Sequence, residues 1–335
     1  MRFHLSAEQT AIQDAVSGTL KNVWGMERLH RFADSDADFD AETWRALMAL
    51  GLGAIALPEQ EGGAGLGLLD AALVCELAGA AAAPGPLIGQ MLTGLAISMS
   101  DNAAAKALLP GVASGDLIAT LALDGDLVQS ARAASLFLTQ NARGALSVVQ
   151  AGDGVVIEPV SSTDRSRPVS RVRFEGAETI EILAAGDARV ERLRDAALVL
   201  IAADALGGAQ HCTDLSVGYA KERIQFGQPI GRFQALKHQL AHMALEVEPA
   251  RALVWYAAHA WDAKLPDAAR AAAMAKAHLC DVYTRVTRAA IAAHGGIGYT
   301  WEYGLNYWFR RAIADRVWMG APGQHRARAA ELAGW

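Results

Sequence analysis

A chain of 335 residues with 52% hydrophobic residues is long enough for a large core and one to three domains. Its formal net charge of -6 gives no general attraction for nucleic acid. The three cysteines, Cys75, Cys212 and Cys280, lie far apart in apolar helical patterns. That spacing argues against a disulfide framework and reads as buried thiols of a reducing, cytoplasmic compartment.

Ser6-Ala-Glu-Gln9 has the spacing of a capping box and starts a helix near Ala7. Helical patterns follow over residues 41–50, 68–82 and 86–99, with a short one over 103–109. Ala83-Pro-Gly-Pro86 breaks two of them apart. Residues 1–114 therefore read as an N-terminal helical domain.

From about Asp116 the period changes. Residues 117–122, 146–149, 155–157, 171–174 and 179–182 are short, rich in β-branched residues and separated by Gly, Asp and Ser. Arg171 and Arg173 alternate with Val172 and Phe174, as in a strand with one wet face. Residues 115–192 read as a small β domain.

Residues 193–335 return to helical periodicity. Asp195 precedes an apolar run and reads as a helix cap. Leu236, Leu240, Met243, Val247, Ala250, Val254 and Ala257 are spaced alternately four and three apart, and so are Ala272, Ala275, Leu279, Val282, Val286, Ala289 and Ala293. Such seams belong to a four-helix bundle. Pro249 removes a backbone donor inside the first of these helices and should bend it. The fold class is mainly α with a small β domain. No leader pattern opens the sequence, and no uncharged run is long enough to span a bilayer, so no membrane partner is expected.

Several clusters carry chemistry. Tyr219 to Gln234 joins two helical patterns through a turn that holds Gly227, Pro229 and Gly231. Arg223 suits a pyrophosphate, Phe226 a flat ring, and Gln225 and Gln234 offer amide hydrogen bonds. The same residues also suit a plain helix–helix connection. His238 and His242 stand four apart, a spacing open to metals, yet no third ligand is near in sequence. Arg310 and Arg311 suit either a phosphate or acidic partners. Trp301, Trp308 and Trp318 read as core or interface.

Glu222-Arg-Ile-Gln-Phe-Gly-Gln-Pro-Ile-Gly-Arg-Phe-Gln234 resembles a signature of the acyl-CoA dehydrogenase family. Three further stretches match in the family's order. They are Phe3 to Gln9, the block from Gly51 through Gly63 and Leu69, and His294-Gly-Gly-Ile-Gly-Tyr-Thr300. The resemblance implies a flavoenzyme that removes a proton alpha to a thioester carbonyl and passes the beta hydrogen to FAD. It also implies an electron-transfer flavoprotein as acceptor.

Two departures qualify what the resemblance implies. The family's glutamate base stands where this chain has Met319, or Gly320 if the alignment slips by one. A thioether or a bare hydrogen takes no proton. The family's other base position falls near Ala197 and Leu198; Asp195 is the nearest acid, Asp204 lies further along, and Glu191 precedes the expected helix. Each of these acids reads first as a surface or capping group. In the middle region, Thr120-Leu-Ala-Leu-Asp-Gly-Asp126 stands in place of the Gly-Ser loop that cradles the flavin, and the family's later Trp-containing loop has no counterpart between Ala131 and Gly154.

What the family's subunits lend to a neighbour's flavin is better kept. The resemblance assigns that role to Arg223, Phe226, Gln234, Gly295 and Gly296, with Gln225 where a threonine is common. Ala292 replaces a glutamine of the family. Gly295 and Gly296 allow either a close approach to a cofactor or a helix C-cap. The implied protein is a non-catalytic subunit that completes an FAD site shared across an interface. Its partner would be a second acyl-CoA dehydrogenase chain with an intact base, as in heteromeric (α2β2) bacterial steroid side-chain enzymes. The alternatives are a self-sufficient homomer with a relocated carboxylate and a flavin-free scaffold of the same fold.

Overall fold

Ser6 begins the first helix in the way its spacing requires. Its Oγ accepts the Gln9 N–H at 3.1 Å, and Gln9 Oε1 accepts the Ser6 N–H at 3.0 Å. The structure is a computed structural model and describes residues 4–335, so Phe3 of the opening motif lies outside the described residues. Helix α1 (Ala7–Val23) is followed by α2 (Met26–Asp34), α3 (Ala41–Met48), α4 (Leu68–Ala80) and α5 (Leu87–Ser98). Helix α2 is absent from the sequence reading, and its N-cap, Gly25, carries no side-chain signal. The short pattern over 103–109 resolves into two helices, α6 (Ala103–Lys106) and α7 (Leu109–Ser114).

The β region forms two sheets. One has the order β1 (Ala119–Ala122), β3 (Leu136–Gln140), β4 (Leu146–Gln150), β7 (Thr179–Leu183); the other has β2 (Leu127–Gln129), β6 (Val169–Phe174), β5 (Val155–Pro159). Only the β1–β3 pair of these is parallel. The first sheet is covered on both faces. Phe137 and Val149 pack with Val128 and Val172 of the second sheet, while Leu136, Leu138, Leu146 and Val148 join the main helical core. Strand β6 is half wet as expected: Val172 is buried between exposed Arg171 and Arg173.

Helix α8 (Ala188–Glu222) starts earlier than the sequence suggests, because Asp187 and not Asp195 is its N-cap. A domain boundary drawn at 192/193 thus falls inside its first two turns. By length and composition α8 is apolar enough to cross a membrane, but 89% of its apolar window is buried in protein, as in a core helix. Its apolar face meets α4 so closely that the backbones touch. A Cβ at Gly207 would run into the Glu76 carbonyl oxygen, and one at Gly79 into that of Asp204.

Two short strands, β8 (Ile224–Gln225) and β9 (Gln228–Pro229), form a hairpin before α9 (Gln234–Asp262), which runs unbroken through the exposed Pro249. Then come α10 (Ala268–His294), α11 (Leu305–Val317) and α12 (Pro322–Leu332). Helix α10 packs against α8, α9, α11 and α12. Both 4-3 seams lie inward: Met243, Val247, Ala250, Val254 and Ala257 of α9 are buried, as are Ala272, Ala275, Leu279, Val282 and Val286 of α10.

Candidate functional site

The last turn of α8 carries the hairpin. Arg223 caps the helix by donating its N–H to the Tyr219 carbonyl at 2.8 Å, and its own carbonyl accepts the Ile230 N–H at 2.8 Å. The strands are joined through Phe226 and Gly227, whose φ angles of +51° and +76° are both left-handed. Left-handed backbone is unfavourable for a phenylalanine, and the Phe226 ring is 90% exposed. Its one aromatic neighbour is Phe233, edge-on at 6.0 Å. Arg223, Gln225 and Gln234 are exposed, and none of their side chains finds a polar partner among the described residues.

The glycine turn lies at the same end of the bundle. The His294 ring, last in α10, stacks on the Tyr219 ring at 4.5 Å, one turn before Arg223. Gly295 follows with φ +64° and ψ -142°, a region that only glycine occupies readily. Gly295 thus serves as the helix cap. Both glycines are exposed, and a Cβ placed on either would touch nothing within 4 Å; Gly296 differs in that its backbone is not left-handed. Ile297 and Tyr299 of the same turn are also exposed, Tyr299 by 78%. This end of the bundle therefore presents a guanidinium, two amides, an aromatic ring and an open backbone. That set can hold a polyanion with a flat ring system.

At Met319, one of the two positions where the resemblance expects the base, the chain is closed. Met319 is 7% exposed, belongs to the main core and has a left-handed φ of +57°. Its N–H donates to Asp124 Oδ2 at 2.6 Å, and its carbonyl accepts from His325 Nε2 at 2.9 Å. The buried Lys276 ammonium donates to the Gly320 carbonyl at 3.2 Å and to that of Asp315 at 2.8 Å. The cavity beside Trp318, at the junction of β region and helices, measures about 20 Å³, room for roughly one water.

Of the relocated-base candidates, Asp204 lines that cavity, and Asp195 and Glu191 do not. Asp195 is no cap: it sits inside α8, buried, with Arg328 Nη1 at 2.6 Å from its Oδ1. Burial raises its pKa although Arg328 opposes the shift. Glu191 does not precede the helix but lies in its first turn. Asp204 is neither surface nor cap. It takes both arms of Arg311 at 2.9 and 2.5 Å, deep in the core. A side chain so engaged is not free to meet a substrate.

Asp204 belongs to a buried ionic network that the sequence did not reveal. Arg311 also donates to the Ala83 carbonyl and to Ser166 Oγ. Arg167 bonds Asp164 at 3.0 Å and Asp315 at 2.5 Å, and approaches Asp204 at 3.8 Å. Burial would raise Asp204, but Arg311 and Arg167 outweigh it and hold its carboxyl below the usual range. Burial and the neighbouring Asp204 push Asp315 the other way. The network fastens the β5–β6 loop to α8, α11 and the α4–α5 connection.

The remaining candidates sort simply. Arg311 pairs with acid, and Arg310 reaches the Thr163 carbonyl. Trp308 is buried under His211 and donates to the Gly79 and Ala80 carbonyls. His238 and His242 are exposed on α9, and no cluster of three or more metal-binding side chains gathers among the described residues. All three cysteines are free and buried, and burial raises their thiols.

Comparison with known proteins shows the family and the fold. Residues 6–116 match the N-terminal domain of acyl-CoA dehydrogenases and residues 191–333 the C-terminal domain. The chain is similar to acyl-CoA dehydrogenase IpdE2 of Mycolicibacterium smegmatis, with 31% identity over 97% of this chain and 98% of the relative. Its similarity to IpdE2 of Mycobacterium tuberculosis is 33% over 94% of each. Among solved structures, a variant of the Tcur3481-Tcur3483 steroid ACAD superposes with a TM-score of 0.89 at 28% identity, covering 98% of both chains.

Proposed function

The chain belongs to the acyl-CoA dehydrogenase family, and from that premise we propose that it is a non-catalytic subunit completing a partner's FAD site. The observation that carries this reading is a contrast within one molecule. Arg223, Gln225, Phe226, Gln234 and Gly296 stand exposed and unsatisfied at one end of the bundle. The expected place of its own base is held by the buried Met319, next in sequence to Trp318, which lines a cavity of about 20 Å³.

The two halves of a flavin site fare differently. At the junction of β region and helices this reading expects no flavin of the chain's own: residues 120–126 lack the family's Gly-Ser loop, and Trp318, Arg167 and Arg311 line a cavity of only about 20 Å³. At the exposed end the residues present fit the cofactor. Arg223 would hold the pyrophosphate, Gln225 and Gln234 would bond polar edges, Phe226 would cover a flat face, and Gly296 would let the backbone approach. When bound, FAD supplies the electron acceptor for dehydrogenating an acyl-CoA thioester. The partner chain would supply the carboxylate that takes the alpha proton, and an electron-transfer flavoprotein would receive the electrons. The likeness to the Tcur3481-Tcur3483 steroid ACAD supports a steroid-derived acyl group as substrate class.

Arg223→Ala separates this reading from a flavin-free scaffold. It should weaken FAD binding by the assembled heteromer by about 1.5–3 kcal/mol, the worth of a charge-assisted hydrogen bond. Unchanged FAD affinity would favour the scaffold.

A further inference from the structure

His294 joins the two exposed pieces of this surface. Its ring is buried, only 4% exposed, and it packs with two tyrosines in a three-ring cluster in which the tyrosines also meet each other, edge-on at 6.1 Å. Tyr219 stacks on it at 4.5 Å with planes 28° apart, and Tyr303 meets it at 4.9 Å. Its Nδ1 donates to the Ala290 carbonyl at 2.7 Å, which fixes the tautomer and orients the ring. Its Nε2 is buried and has no partner among the described residues.

Tyr219 links the ring to Arg223. Its carbonyl receives the Arg223 N–H that ends α8, while its ring rests on His294. On the other side His294 is bonded directly to Gly295. The turn folds back so tightly that a Cβ on Gly298 would meet His294 Cβ at 3.0 Å and the Ile291 carbonyl oxygen at 2.5 Å. The backbone positions of Arg223 and of Gly295–Gly296 thus depend on one aromatic wedge.

We infer that His294 is a positioning residue for the lent half of the cofactor site. With Tyr219 and Tyr303 it holds the Arg223 hairpin and the Gly295–Gly296 turn at a fixed separation, so that both engage one nucleotide. This rests on the reading of the chain as an FAD-completing subunit. The wedge acts by shape and stacking. The ring nitrogens serve its orientation, and His294 does not itself touch the cofactor.

The test uses the heteromer with its partner acyl-CoA dehydrogenase chain and FAD as probe. FAD affinity is read from flavin fluorescence on dilution, assembly from size-exclusion chromatography. His294→Ala should lower FAD affinity about tenfold or more with the heteromer still assembled. His294→Phe, which restores the wedge without the nitrogens, should return it to within about threefold of the parent. If His294→Ala does not fold, Tyr303→Ala against Tyr303→Phe makes the same comparison at another ring of the cluster. Parent-like affinity in the alanine variants, or no rescue by phenylalanine, overturns the inference. Arg223→Ala is the control. If it too leaves FAD affinity unchanged, the subunit reading itself fails; if it alone weakens FAD, only the positioning role fails.

Discussion

Asp124 accepts the backbone N–H of Met319 at 2.6 Å. The two residues belong to the two stretches that depart from the family pattern, one in place of the flavin cradle and one in place of the base. In this fold they close on each other. Met319→Glu should therefore not create an active enzyme. The new carboxylate would enter the core at a position that is 7% exposed, next in sequence to Trp318, which lines a cavity of about 20 Å³. The variant should show no acyl-CoA dehydrogenation on its own and should lose about 2–4 kcal/mol of stability through burial of an unpaired charge. Turnover with an artificial electron acceptor and the urea midpoint check both; measurable turnover would show that the site around residue 319 is open to flavin and substrate, contrary to this account.

The Asp204–Arg311 pair offers a separate test. Both side chains are almost fully buried, with bonds at 2.9 and 2.5 Å. Asp204→Ala leaves Arg311 uncompensated and should destabilise the chain by about 3–5 kcal/mol. Asp204→Leu combined with Arg311→Met should cost clearly less than the two single changes summed. A double-mutant cycle in urea gives the coupling.

The α4–α8 crossing predicts opposite outcomes for the same substitution on one helix. Gly207→Ala puts a methyl into the Glu76 carbonyl and should cost more than about 2 kcal/mol. Gly218→Ala, also in α8, meets nothing within 4 Å and should stabilise by about 0.5–1 kcal/mol through helix propensity. Thermal melting distinguishes them.

His211 sets part of the acid limit. It stacks on Trp308 at 4.2 Å, its Nε2 has no partner, and burial pushes its pKa down to about 4. Above the unfolded pKa of about 6.5 both states are neutral and the residue adds no pH dependence. As pH falls through 6.5 toward 4, the unfolded chain takes the proton first, and stability drops by up to about 3 kcal/mol. His211→Phe should flatten that slope between pH 6.5 and 4. Burial lowers His278, His294 and His325 in the same direction, so part of the slope should remain. Urea midpoints across this range make the comparison.

The parts of the fold visible in the sequence are those written in local periodicity. The seams of α9 and α10 repeat over many turns, and the Ser6 capping box needs only four residues. Strand β3 is hidden because Leu136, Phe137, Leu138 and Thr139 are all buried, which removes the alternation that marks a strand. The acids were misread for a different reason. Asp195 and Asp204 look like polar breaks near an α-helix start, whereas their partners Arg328 and Arg311 lie more than 100 residues away. The donor surface was legible as residues, Arg223 to Gln234 and Gly295–Gly296, and the fold brings both pieces to one end through the Tyr219–His294 stack. No sequence spacing could show that Asp124 would meet Met319.

Flavin content, with and without a partner, tests the central claim most directly. The chain purified alone should carry almost no FAD and show no acyl-CoA dehydrogenase turnover. Purified with a partner chain that retains the glutamate base and the flavin loop, the assembly should hold about one FAD for each pair of chains. Stoichiometric FAD and turnover in the chain alone would contradict the account.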